Sequence, residues 1–203
     1  KMLVVVSHPH FDHLSYDSLE MLEGKTEVLL VPPGVRENLP RYAFDSQELE
    51  TWQTYEQGGL RVTAVPVRHG GGRFRIDNAW NPRAYTGYVF EYHGLSVYFG
   101  GDTIFDGPAF RATERRFASL DLAILPICPM QPRSFMRRAH MDPARALDAF
   151  AVLGAKRMLP IHFDTFVNSE DRPGECSLEL LGEMSSRGIS LGRVALLGIG
   201  EQK

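Results

Sequence analysis

The sequence predicts an α/β layered domain on three observations. Short apolar, β-branched runs recur along the chain and alternate with segments of helical periodicity. Four of these runs lead directly into a histidine or an aspartate, at His8, His69, Asp102 and His162. Function tends to collect on loops at one edge of a rigid sheet, so those four ends point to one site. The 203 residues, 43% apolar and 23% charged, suit a single globular domain over residues 1–203 with a real core.

A net charge of −3 gives no basic footprint for nucleic acid. No apolar run approaches the roughly 20 residues of a membrane-spanning helix. Cys128 and Cys176 form no C-x-x-C and are too few for a disulfide framework, so they read as reduced or incidental. A cytoplasmic location is expected, with any targeting segment preceding this stretch.

In order along the chain, Met2 to Val6 is a buried strand ending at the polar turn Ser7-His8-Pro9-His10-Phe11-Asp12-His13. Three imidazoles and one carboxylate fall within six residues there. The chance of that pattern in this composition is on the order of 10⁻⁴ to 10⁻³. Imidazole nitrogen and carboxylate oxygen are ligands for Zn²⁺ and similar ions. On a turn, His8 and His10 can hold one ion, and Asp12 and His13 a second beside it.

Tyr16 to Leu22 reads as a short helix stopped by Gly24, and Glu27 to Val31 as a strand closed by Pro32-Pro33-Gly34. Residues 35 to 50 are mixed and polar, giving a short helix and loops. Leu60 to Val67 is a strand that delivers His69, followed by Gly70-Gly71-Gly72. Residues 73 to 86 form a long polar and aromatic loop holding Arg73, Arg75, Asp77, Trp80 and Arg83. Tyr85 to Tyr92 and Ser96 to Phe99 flank His93-Gly94 as a hairpin, whose second strand runs into Gly100-Gly101-Asp102-Thr103. His93 reads as an exposed turn residue, and Trp52 and Trp80 as packing.

Arg111 to Ser119 reads as a helix, and Leu120 to Ile127 as a strand buried on both faces. The clearest helix starts at the Asp142 cap with Pro143 in its first position and ends at Gly154. Arg157 to Ile161 is a strand delivering His162. Glu175 to Arg187 is a helix ended by Gly188, and Arg193 to Ile199 a last strand.

His8-x-His10-x-Asp12-His13 after a buried strand resembles the signature of the metallo-β-lactamase superfamily. The runs from Gly58 to His69, Tyr98 to Thr103, Pro132-Arg-Ser-Phe-Met136, His140-Met-Asp-Pro143 and Pro160-Ile-His-Phe-Asp-Thr-Phe166 are similar to one branch of it. That branch contains N-acyl-phosphatidylethanolamine phospholipase D and L-ascorbate-6-phosphate lactonase. The resemblance implies a four-layer αββα sandwich, here beginning at the motif strand, as if the amino-terminal strands lay outside this stretch. It implies two divalent ions, Zn²⁺ first with Mn²⁺ or Fe²⁺ as alternatives. His8, His10 and His69 would hold one, Asp12, His13 and His162 the other, with Asp102 bridging. Asp12, Asp102 and His140 are the residues it implies for catalysis.

The implied reaction is hydrolysis by a hydroxide shared between the ions, on a small-molecule or lipid-like phosphodiester. A lactone or other cyclic ester is the alternative. A non-catalytic or partner-dependent metal-binding fragment is an alternative of another class. Arg73 and Arg133, with Arg75, are candidates to hold a phosphate, since guanidinium pairs bidentately with it. Homo-oligomer formation and membrane contact are left open, with no exposed amphipathic stretch to support the latter.

Overall fold

The computed structural model describes residues 1–73, 81–117, 119–167 and 169–202. Two sheets lie face to face between helical layers. The smaller is parallel throughout, in the order β1 (Met2–Val5), β2 (Thr26–Val31), β3 (Asp45–Glu48). The larger runs in the order β4 (Thr54–Gln57), β5 (Leu60–Val65), β6 (Gly87–Tyr92), β7 (Leu95–Phe99), β8 (Leu122–Pro126), β9 (Arg157–Ile161). Its neighbours are antiparallel from β4 to β7 and parallel from β7 to β9. Tight turns join β4 to β5 and β6 to β7, residues 66–86 connect β5 to β6, and helices lie between the parallel strands β7, β8 and β9.

Strand periodicity builds the layers. In β2, Val28 and Leu30 enter the core between the sheets with Val62, Ala64 and Tyr88, whereas Leu29 and Val31 point to the opposite face. That face is covered by Leu14, by Leu19 of α1 (Tyr16–Glu20) and by Val35. In β6, Tyr88 faces the small sheet and Val89 faces the helices. The Tyr88 hydroxyl, buried between the sheets, donates to Val6 O at 2.9 Å. The outer face of the large sheet packs against α2 (Gly107–Arg116), α4 (Pro143–Leu153) and α5 (Glu175–Ser186) through Phe110, Leu147, Phe150, Leu180 and Met184. The result is the αββα order of layers.

Helix α4 follows its sequence signals at both ends. Asp142 Oδ1 accepts from Arg145 N at 2.8 Å, Pro143 opens the first turn, and Gly154 closes the helix in the left-handed region at φ 63°. A one-turn helix, α3 (Arg133–Met136), lies just before it.

Several expectations are corrected. Residues 193 to 199 form no strand: a 3-10 turn at Leu191–Arg193 leads to one isolated bridge between Val194 and Met158. The polar stretch after residue 35 contains a 3-10 turn at Arg36–Asn38 and also β3, and β4 precedes β5. Both strands lack the apolar alternation that marks a strand, because they sit at sheet edges. Helix α2 starts at Gly107, capped by Asp106, several residues earlier than its apolar pattern suggests. The two cysteines are joined in a Cys128–Cys176 disulfide with Cα atoms 6.2 Å apart, which ties α5 to the loop after β8. They are 48 residues apart in sequence, and only the packing of α5 onto the large sheet brings them together.

Candidate metal centre

The motif turn begins where β1 ends. His13 N and Leu14 N both donate to His10 O, at 3.0 and 2.8 Å, so the backbone folds back and gathers the side chains of His8, His10, Asp12 and His13 on one side. Strand β5 ends short of His69, whose position is held by backbone ties between Arg68 and the Thr103–Ile104 segment. Asp102 leaves the end of β7 through Gly100-Gly101. Gly101 has φ +57°, and a Cβ on it would lie 2.7 Å from Ser7 Oγ. That close approach brings the Asp102 loop against the motif turn. His162 follows β9.

These ends converge. His8 Nε2 is 2.9 Å from His10 Nδ1, which is 3.3 Å from His69 Nε2. Asp102 Oδ2 is 3.3 Å from both His13 Nε2 and His162 Nε2, and 3.9 Å from both His8 Nε2 and His69 Nε2. Asp12 Oδ2 is 3.2 Å from His162 Nε2 and 3.5 Å from His13 Nε2. Asp102 therefore lies between two groups, His8-His10-His69 and Asp12-His13-His162, each with ligand atoms within 4.8 Å of one another. His140 joins at the side, with Nδ1 3.5 Å from Asp102 Oδ2.

The outer nitrogens of three rings are fixed by neighbours. His69 Nδ1 lies 2.9 Å from Ala139 O, and His162 Nδ1 lies 2.9 Å from Cys128 O. A carbonyl can only accept, so Nδ1 carries a hydrogen in both rings and Nε2 is the atom turned to the cluster. His8 Nδ1 is bonded to Ser7 Oγ at 3.0 Å.

Burial disfavours the charged form of each group, and the neighbours decide the outcome. It pushes the Asp102 carboxyl up, but the His13 hydrogen bond and the surrounding imidazoles hold it well below the usual carboxylate range. Asp12 is held low in the same way by His13 and His162. Burial pushes His13 down, yet Asp102 and Asp12 lift it to about 9, and the same carboxylates raise His162. His69 falls to about 4 and His8 falls well below 6.5, because burial dominates and neighbouring imidazoles repel. Two ionised carboxylates thus sit among imidazoles, with Asp102 Oδ1 buried and lacking a hydrogen-bond partner among the described residues. Nitrogen and oxygen donors in this arrangement fit divalent ions.

The cluster opens into a cavity of about 500 Å³. Its mouth carries Phe11, Phe135 and Phe166, which are 54%, 51% and 65% exposed.

All seven sequence-predicted ligands, His8, His10, Asp12, His13, His69, Asp102 and His162, are brought together, with His140 beside them. Arg73 lines the cavity. Its Nη1 donates to Pro9 O and Leu14 O at 3.0 and 2.9 Å, and its guanidinium lies over the Phe11 and Tyr16 rings. It clamps the motif turn. The Arg133 guanidinium is held by Asp142 Oδ2 at 2.9 Å and Glu179 Oε1 at 3.0 Å, in a separate cleft that it shares with His140. Arg75, Asp77 and Trp80 lie outside the described residues. His93 is an exposed turn residue, and Trp52 packs against the helix-side core. Sequence reasoning missed Ser7, Ala139 and Cys128 as partners of the rings, since two of these act through backbone carbonyls that carry no residue signature.

A family model described as β-lactamase superfamily domain matches residues 2–163. The chain is 31% identical over 192 residues to the mitochondrial N-acyl-phosphatidylethanolamine-hydrolyzing phospholipase D of Saccharomyces cerevisiae, covering 89% of this chain and 40% of that protein. It is 27% identical over 174 residues to N-acyl-phosphatidylethanolamine-hydrolyzing phospholipase D 1 of Caenorhabditis elegans, covering 80% of this chain and 48% of that protein. The chain therefore spans less than half the length of both. A metal-dependent hydrolase of Pelotomaculum thermopropionicum is 30% identical over 178 residues, covering 85% of this chain and 72% of that one. Among solved structures, a protein from Veillonella parvula described as a possible metal-dependent hydrolase superposes with a TM-score of 0.75 at 19% identity, over 98% of this chain and 74% of that one. A metallo hydrolase from Ignicoccus hospitalis does so with a TM-score of 0.72 at 22% identity, over 98% and 77%. These last two show the same fold.

Proposed function

The chain belongs to the metallo-β-lactamase superfamily, and from that premise we propose that it is a hydrolase using two divalent ions on a phosphodiester with an apolar portion. The observation that carries this reading is Asp102, whose Oδ2 lies between two histidine groups with ligand atoms all within 4.8 Å. When bound, two ions in such a site lower the pKa of a water toward neutrality and offset negative charge on the attacked group.

The residues supply the rest. His8, His10 and His69 would hold one ion, Asp12, His13 and His162 the other, and Asp102 both. Ser7, Ala139 and Cys128 keep three of the rings turned inward. Arg73 holds the motif turn in place. His140 is buried beside Asp102 and lines the same cavity, so it can donate a proton to a leaving oxygen or stabilise an oxyanion. Phe11, Phe135 and Phe166 at the mouth give an acyl or other apolar group a surface to lie on. The two phospholipase D relatives are named for a substrate of that chemistry.

The test pairs metal content with a substrate panel. Near two equivalents of metal per chain are expected, falling in His69→Ala and Asp102→Asn. Turnover should favour a bis-aryl phosphodiester and an N-acyl phospholipid over a lactone. Turnover of the lactone alone would replace the phosphodiester with a cyclic ester. Absence of metal would leave a chain that cannot form its site by itself.

A further inference from the structure

Between β8 and α3, the loop Cys128–Gln131 lies behind His162 and provides the carbonyl that fixes its ring, at 2.9 Å from Nδ1. His162 needs such support. Its backbone is in the left-handed region at φ 65°, as is that of Asp164 at φ 55°, where a side-chain-bearing residue persists only if its surroundings hold it.

The loop is itself held by one carboxylate. Asp171 Oδ2 accepts from Met130 N at 2.7 Å, and Oδ1 accepts from Gln131 N at 3.0 Å. Ser169 Oγ donates to Oδ2 at 2.7 Å. Hydrogen bonds from backbone N–H groups to a carboxylate are charge-assisted and roughly twice as strong as neutral ones. They grip two consecutive amides just after the carbonyl that meets His162. The Cys128–Cys176 disulfide secures the same loop to α5, and Cys128 Sγ lies 3.8 Å from Asp171 Oδ2. At the other end, Asp164 Oδ1 accepts from Gly174 N, the cap of α5, at 2.8 Å. Asp171 and the two sulfurs do not make a further ion site, because a metal binds thiolate and both sulfurs are committed to the disulfide.

We infer that Asp171 is a positioning residue of the metal centre: through the Cys128–Gln131 loop it sets the carbonyl that orients His162. With that carbonyl fixed, His162 Nε2 stays directed between Asp12 and Asp102, at 3.2 and 3.3 Å. With it loose, the ring can turn or exchange its tautomer, and the ligand is lost without any change in the ligand residues. The inference rests on the reading of His162 as a metal ligand.

The test is a Co²⁺ titration of the metal-free full chain, followed by the visible ligand-field bands, for wild type, Asp171→Asn and Ser169→Ala. Asp171→Asn keeps the shape but turns one acceptor into a donor facing an N–H. It is expected to bind Co²⁺ roughly tenfold or more weakly, in the range seen when the group orienting a ligand is removed, and to change the bands. Ser169→Ala, which leaves the carboxylate, should shift both in the same direction by less, and it decides the matter if Asp171→Asn does not fold. Wild-type affinity and spectrum in the variants, whatever happens to their melting temperature, would overturn the inference. A wild type taking up one ion instead of two refutes the two-ion reading alone, since the variant comparison still reads His162. No uptake by the wild type refutes both.

Discussion

His140 is the residue whose role separates catalysis from metal binding. It sits 3.5 Å from Asp102 Oδ2, outside both histidine groups around the two proposed ions, though with Asp102 and His162 it makes a further set of ligand atoms within 4.8 Å of one another. His140→Ala is expected to keep its metal equivalents and lose about 10² to 10⁴ in kcat, the usual contribution of a positioned acid or base. Loss of metal together with activity would make it a ligand instead. Gly101 has the opposite character, since it touches nothing reactive yet admits the Asp102 loop to the motif turn. Gly101→Ala drives a methyl into Ser7 and forces a left-handed φ on alanine. It should lower stability by about 1–3 kcal/mol by urea unfolding and weaken metal uptake, through displacement of Ser7 and the His8 ring it holds. Arg73 has a use besides the one expected of it. Its type suggested phosphate, and its position gives it the carbonyls of residues 59 and 64 positions away. Those contacts cannot be read from sequence, because main-chain acceptors look alike at every residue.

Among the elements, α4 is a helix whose sequence signals and structure coincide at both ends, because cap chemistry is local. Asp142 also holds Arg133. Asp142→Ala removes the cap and releases an exposed ion pair of small worth, so about 1 kcal/mol of stability should go. For a chain of this size that is a fall in Tm of roughly 2–4 °C by calorimetry, with metal content unchanged. No change in Tm would mean that water replaces the cap at no cost. Strands β2, β5, β8 and β9 were legible because burial on one or both faces imposes an apolar pattern. Strands β3 and β4 were not, with sequences Asp-Ser-Gln-Glu and Thr-Tyr-Glu-Gln, since an edge strand is held by backbone hydrogen bonds that any residue can make. The expected strand at 193–199 failed for the converse reason. Its apolar residues are there, but the backbone meets β9 only at Val194 and Ala195.

For the whole molecule, the metal centre lies where both sheets send their strand ends, so ions there would act as a clasp between β1 of one sheet and β5, β7 and β9 of the other. Each ion removed by chelation should lower Tm by about 10 °C if metal is present at ~1,000 times the Kd of its site, a linkage of about 4 kcal/mol per ion. Equal melting curves with and without chelator would show that the sheets close without the ions. Tyr88→Phe tests the other inter-sheet tie, its bond to Val6 O, and should cost about 1 kcal/mol. By itself the sequence determined the layered α/β class, the buried strands and the α4 caps, because periodicity and capping are local properties of residue type, and its motif and strand ends named the histidines and aspartates that the structure gathers into the candidate metal centre. Only the tertiary structure decided the edge strands, the Cys128–Cys176 bond, the clamp of Arg73 and the bracket of Asp171 behind His162. Each of these depends on which backbone groups and side chains meet across tens of residues, and packing of the sheets and helices, not spacing, sets that.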